Sequence, residues 1–298
     1  MTTPGQTGTR PRVLLAAERV SRKFGAFTAV EDVTMHVGPG EVVGLLGANG
    51  AGKTTLIRML LGLLATTVGE VELLGGRPDR DLRRRLGYVP QGLGLYRDLT
   101  VSENLAFTCN AYGTAPPQLP ESLRPVVDRL VAQLPLGLQR QLAFLSALAH
   151  DPEVLVLDEP TSGVDALARA ALWDTIHEQA EEGVGVLVTT HNMAEAEQCD
   201  RLLLMSAARL VAQGSEADII GTTTAIAIRT NDWARAFAVL NEAGQPVMLA
   251  GRDVRVADAD AGQVQAILTD AGMTADVTGV AATIEERMMV LARARQDP

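Results

Sequence analysis

The feature that most constrains this chain is a run of nine residues, Gly47-Ala48-Asn49-Gly50-Ala51-Gly52-Lys53-Thr54-Thr55. It satisfies the phosphate-loop pattern of Gly, four residues, then Gly-Lys-Ser/Thr. Gly47, Gly50 and Gly52 let the backbone bend where a Cβ would clash, so successive N–H groups converge on one hollow. Lys53 supplies a compact positive charge for β- and γ-phosphates, and the Thr54 hydroxyl is a ligand for Mg²⁺. The flanks agree with this reading. Residues 41–46 read as a buried strand, and 55–61 as the helix whose positive N-terminus faces the phosphates. The whole run, with Asn49, Ala51 and Thr55, is therefore the expected binding segment for a nucleoside triphosphate.

Length and charge narrow what surrounds that site. A chain of 298 residues suits one large domain, or one of about 200 residues with a small companion. The 47% of hydrophobic residues are ample for a core, and a net charge of −10 argues against a nucleic-acid partner. Cys109 and Cys199 are the only cysteines, far apart and without metal spacing, which reads as two reduced, packed thiols in a cytosolic protein. No apolar run reaches the roughly 18 residues that span a bilayer, so a membrane role has to come through a partner. Residues 1–12 lack an apolar signal segment and read as a flexible tail.

Along the chain, residues 13–17 and 33–37 read as strands divided by a loop at 21–25. Phe24 on that loop is either an aromatic that stacks on a purine or a core residue. Residues 70–74 alternate like a strand, 80–85 form a basic helix face, and 86–91 a short strand ending at Pro90-Gln91. Gln91 is placed to reach a metal-bound water. Thr100 and Glu103 form a capping box that starts a helix near Val101 and carries it to about 112. A second helix is expected over 121–132, with Leu123, Val126, Val127, Leu130 and Val131 on one face. Another helix, favoured by Pro135 near its start, runs to about 150. The apolar strand 154–157 then delivers Asp158 and Glu159 to a cation or a water. A helix over 166–182 precedes the strand 184–190, which ends at His191, where open α/β sheets gather their ligands. From about residue 221 the order β-α-β-β-α-β predicts a small ferredoxin-like α+β domain closed by a helix over 283–294.

Taken together these motifs resemble the ATP-binding-cassette ATPase family over residues 13–214, in family order. The resemblance implies an α/β phosphate-loop core with an antiparallel β subdomain and a helical insert at 92–148, within a domain spanning 13–220. It implies ATP and Mg²⁺ as ligands, with Thr54, Gln91 and Asp158 around the metal. Glu159 matches the general base, His191 the switch histidine, Gln91 the Q-loop glutamine and Phe24 the adenine-stacking aromatic. Ser162-Gly163-Val164-Asp165 resembles the D-loop. The tail, closing on Ala282-Thr283-Ile284-Glu285-Glu286, is similar to separate ATPase subunits of drug- and antibiotic-type exporters. Such subunits sit on the cytoplasmic face of the membrane with a distinct permease and a second ATPase subunit.

One stretch departs from the family pattern. Where the common signature reads Leu-Ser-Gly-Gly-Gln, this chain has Leu134-Pro135-Leu136-Gly137-Leu138. Pro135 offers neither the hydroxyl nor an N–H, and Leu136 puts a side chain where the backbone normally approaches the partner's nucleotide. Each lost bond to a charged phosphate is worth about 1.5–3 kcal/mol, or tenfold or more in rate. Gly137 and the helix N-terminus remain as an anion site. The expected function is ATP hydrolysis powering an exporter, either as a heterodimer with an intact partner or as a slow homodimer. The alternatives are a regulatory ATP-binding subunit with little hydrolysis, a soluble non-transport cassette, or an importer subunit.

Overall fold

The computed structural model describes residues 12–293, so the expected tail lies outside the described residues apart from Arg12. The chain divides into two compact units between Leu210 and Val211.

In the first unit, β1 (Leu15–Phe24) and β2 (Phe27–Val37) form an antiparallel hairpin. After β3 (Val42–Leu46) and α1 (Lys53–Leu60), β4 (Val68–Leu73) pairs with the other edge of β1, giving a sheet ordered β2-β1-β4. The loop expected at 21–25 is thus mostly strand. Val20, Val30 and Val33 are fully buried, and shifts of register between Ala17 and Lys23 keep such apolar positions inward as the ladder continues to Phe24.

The central sheet runs β5-β6-β7-β3-β8-β9 and carries the site on its loops. Its further elements, in chain order, begin with α2 (Arg80–Arg83), β5 (Leu86–Val89), α3 (Val101–Tyr112) and α4 (Leu136–Leu148). Then follow β6 (Val154–Asp158), α5 (Ala166–Glu181), β7 (Gly185–Thr190), α6 (Met193–Ala196), β8 (Arg201–Ser206) and β9 (Arg209–Gly214). From β5 to β8 the pairing is parallel. β3, β6 and β7 are buried at every position, as a sheet covered on both faces requires. Alternate residues serve alternate faces. Val154, Val156 and Leu187 join the core around α1, while Leu155, Leu157, Val186 and Val188 join Trp173 and Ile176 of α5.

The capping box of Thr100 and Glu103 starts α3, and Gly113 ends it in the left-handed conformation. The helix expected over 121–132 does not form. Pro125 lacks an N–H and crowds the preceding turn, and the segment makes two short 3₁₀ turns, Arg124–Val126 and Val131–Gln133. Its backbone bonds the neighbourhood of α3 instead: Val101 N–H donates to Arg129 O (3.2 Å) and Val131 N–H to Leu99 O (2.9 Å). Of the expected apolar face Leu123 and Val131 are buried, Val126 and Val127 are partly covered and Leu130 is exposed, so the pattern held for burial only in part and not for conformation.

The second unit contains α7 (Glu216–Ile220), β10 (Thr224–Arg229), α8 (Trp233–Glu242), β11 (Val247–Ala250) and β12 (Asp253–Ala257). α9 (Ala261–Asp270), β13 (Asp276–Ala281) and α10 (Ile284–Arg293) complete it. Its antiparallel sheet is ordered β11-β12-β10-β13, the arrangement produced by the expected β-α-β-β-α-β sequence. The boundary falls ten residues before the expected 220/221, because α7 buries Ile219 and packs with α10.

Both cysteines are free; Cys109 is buried, and burial pushes the Cys199 thiol up to about 12. Among the described residues no helix is long and apolar enough to cross a membrane.

α10 is fastened to this sheet by Glu286, which is fully buried and accepts from Arg255 Nε (2.7 Å), Arg255 Nη2 (2.9 Å) and Thr283 N–H (2.8 Å). Removing one partner of such a pair leaves an uncompensated buried charge. Glu286→Ala is therefore expected to lower the stability of the second unit by about 3–5 kcal/mol, read from urea unfolding followed by hydrogen exchange of the β10–β13 amides.

Candidate active site

Four strand ends converge because their strands are neighbours in the sheet. The phosphate loop follows β3, Gln91 follows β5, Asp158 and Glu159 end and follow β6, and His191 follows β7. The register sets their levels: Leu46 lies opposite Thr190, and Asp158 opposite Thr189.

Within the loop, Gly47 has φ 156° and Gly52 φ 104°. A Cβ on Gly47 would sit 2.5 Å from Met205 O, and one on Gly52 would strike Ala29 O. Glycine is thus demanded by both backbone angle and close approach. Gly52 caps α1, whose first residue is Lys53. The Lys53 ammonium is buried and donates to Gly47 O (2.5 Å) and Ala48 O (3.2 Å), so the loop holds its own cation. Burial holds that ammonium below the ordinary lysine range, against the opposing pull of the Glu159 and Asp158 carboxylates.

Asp158 is 2% exposed and fully engaged. Its Oδ2 accepts from Thr54 Oγ1 (3.1 Å) and its Oδ1 from Thr189 Oγ1 (2.7 Å). A hydroxyl and a carboxylate side by side are hard oxygen ligands, the donor set Mg²⁺ takes when phosphates and waters supply the rest. Among the described residues no cluster of three or more His, Cys, Asp or Glu is placed to hold a metal.

Glu159 adopts φ 52°, a left-handed backbone that costs a non-glycine residue about 1–3 kcal/mol. Three bonds hold it there. Its N–H donates to Thr189 Oγ1 (2.9 Å), while Arg140 Nη1 donates to Glu159 O (2.9 Å) and Pro160 O (2.8 Å). The turn aims the carboxylate at Gln91 Nε2 (3.4 Å) and His191 Nδ1 (3.5 Å). The His191 side chain is half exposed, that of Glu159 mostly covered.

The structure brings Lys53, Thr54, Gln91, Asp158, Glu159 and His191 to one end of the sheet, but not every candidate. Phe24 lies half exposed at the end of the β1–β2 hairpin with the Arg22 guanidinium 4.5 Å over its ring, so it is not a core residue. Pro135 caps α4 without a side-chain bond. Leu136 packs beside Gly163, and Gly137 faces Ala168. Among the described residues no hydrogen bond joins 135–137 to the phosphate loop. Two supports escape sequence reasoning: Thr189 and Arg140. A threonine in an apolar strand looks like any other strand residue, and an arginine on a helix looks like a solvated surface charge.

This arrangement defines a phosphate-loop nucleotide-binding fold. A family model described as ABC transporter matches residues 30–162, and one described as AAA domain, putative AbiEii toxin, Type IV TA system, matches the overlapping stretch 128–197. The probable multidrug ABC transporter ATP-binding protein YbhF of Escherichia coli (strain K12) is 40% identical over 229 residues, 73% of this chain and 39% of YbhF. The chain thus spans well under half the length of that relative. Nod factor export ATP-binding protein I of Paraburkholderia xenovorans (strain LB400) is 38% identical, with 71% of this chain and 74% of that protein covered. A solved ATP binding subunit of an ABC transporter is 33% identical with a TM-score of 0.65, covering 70% of this chain and 92% of its own. The ATP-binding cassette MJ0796, in a dimeric post-hydrolysis state bound to ADP and Pi, shares the fold at 22% identity and a TM-score of 0.60, over 68% of this chain and 98% of its own. The chain belongs to the ABC transporter ATP-binding family.

Thr189→Val removes at once a donor to Asp158 and an acceptor from Glu159. The expected loss is about 1–3 kcal/mol of stability and about tenfold or more in ATP turnover, measured by urea unfolding and phosphate release.

Proposed function

We propose that this chain is the ATP-hydrolysing subunit of an exporter, acting at the cytoplasmic face of the membrane with a separate permease and a second ATPase subunit. The observation that carries the reading is Glu159: a mostly buried carboxylate in a strained turn, between Gln91 and His191 and next to the phosphate loop. Phosphoryl transfer to water is chiefly positioning and charge stabilisation. Lys53, the glycine-rich backbone with Asn49, Ala51 and Thr55, and the α1 N-terminus bind the β- and γ-phosphates. Thr54 and Asp158, with Gln91, hold Mg²⁺, which supplies charge neutralisation on the phosphates. Glu159 accepts a hydrogen bond from the attacking water and orients it, the Gln91 amide steadies that carboxylate, and His191 contacts the γ-phosphate. Phe24 offers a face to adenine. Export is supported by the names of the multidrug and Nod factor relatives, and a net charge of −10 speaks against a nucleic-acid partner.

Pro135 and Leu136 favour an unequal pair. The segment that completes the neighbouring subunit's site in this family lacks its hydroxyl here, so the reading includes a partner ATPase with an intact signature. A homodimer turning over slowly is the rival arrangement.

Assembled with its permease and partner ATPase, the chain is expected to release phosphate from MgATP, and Glu159→Gln to slow this by about 100-fold or more while MgATP affinity stays within about twofold. Light scattering of Glu159→Gln with MgATP reads the pairing: a dimer supports the homodimer, and a monomer that binds ATP supports the unequal pair. Unchanged turnover in Glu159→Gln would falsify the role given to that residue.

A further inference from the structure

Past the last β6–β7 pair, the chain carrying Glu159 and the chain carrying His191 leave the sheet, and their backbones are no longer paired. One side chain beyond the nucleotide-facing residues is bonded to both. Glu195, on the short helix α6, is 3% exposed. Its Oε1 accepts from Thr161 Oγ1 at 2.6 Å, two residues after Glu159. Its Oε2 accepts from Thr190 Oγ1 at 2.7 Å, immediately before His191. The Thr190 hydroxyl also accepts from Asn192 N–H (2.9 Å), and Asn192 Nδ2 lies 3.4 Å from Glu195 Oε1, so both neighbours of His191 are tied to this carboxylate. Arg169 Nε of α5, 3.4 Å from Oε1, supplies the balancing charge.

We propose that Glu195 is a positioning residue for hydrolysis, a clamp that holds the Glu159 turn and the His191 turn at one fixed separation. The inference rests on the proposed ATPase reading. Three features set it apart from an ordinary buried acid. A carboxylate this covered persists only when its lone pairs are engaged. Its two short bonds go to hydroxyls on different loops, each within two residues of a group that faces the nucleotide. A cavity of about 90 Å³ lined by Glu159, His191, Ser162 and Gly163 lies beside it, so no apolar packing substitutes for the bonds at that point. Since Glu159 and His191 stand 3.5 Å apart, a shift of an ångström between the loops separates them.

Glutamine in place of Glu195 has one acceptor oxygen for two donating hydroxyls, so one strap must break or reverse. Both Glu195→Gln and Thr161→Val, the second leaving the carboxylate in place, are expected to lower kcat for MgATP by about 10–100-fold. MgATP affinity should stay within about twofold. Neither change should add a further loss in a Glu159→Gln background, since residues acting as one unit are non-additive. Hydrogen exchange supplies a readout that needs no turnover: amides of 161–163 and of 191–193 should speed up together in Glu195→Gln. Wild-type kcat in both variants, losses that multiply with Glu159→Gln, or faster exchange in only one loop would overturn the clamp. If the assembled wild type does not hydrolyse ATP, the ATPase reading fails separately and the paired exchange still decides whether Glu195 couples the loops.

Discussion

The site depends first on a single hydroxyl. Thr189, at the last pairing position of β7, donates to the Asp158 carboxylate and accepts the N–H of Glu159. One side chain thereby satisfies a buried acid and pins the backbone that presents the next acid. Without an engaged partner, each carboxylate at the end of so apolar a strand would face the full desolvation penalty. Parallel pairing makes the arrangement possible, because it puts the carboxyl ends of β6, β7 and β3 side by side at one level.

Unusual backbone angles also occur where the chemistry is expected. The left-handed turns of Gly47 and Gly52 and the positive φ of Glu159 flank one hollow. Each is over-determined: the glycines by backbone walls at Met205 and Ala29, Glu159 by Thr189 and Arg140. Such conformations persist only where surrounding contacts leave no alternative. Arg140 and Glu195 extend the same logic, since they hold loop backbone and hydroxyls instead of touching the phosphates.

Much of this was legible in residue order. The phosphate loop, the apolar strands ending in Asp158-Glu159 and His191, the capping box at Thr100 and the β-α-β-β-α-β tail each carry a local signal strong enough to read alone. Failures came where the pattern was ambiguous between conformations. Residues 121–132 showed a broad apolar face, yet Pro125 and a bridge to Thr100 turned them into two tight turns. The stretch 21–25 looked like a loop from its polar residues, while register shifts in β1 kept it in the ladder.

The sequence by itself determined which groups are available: three glycines for a phosphate loop, a lysine, a hydroxyl, paired carboxylates, a strand-terminal histidine, and a signature with proline in place of serine. Those are decided by side-chain chemistry and short-range backbone sterics, which spacing along the chain preserves. Only the tertiary structure decided which group supports which. Thr189 meets Asp158 across 31 residues, Arg140 reaches Glu159 across 19, and Thr161 reaches Glu195 across 34. Contacts at that separation follow from strand order and register, and a hydrophobic pattern carries no record of which hydroxyl will stand opposite which acid.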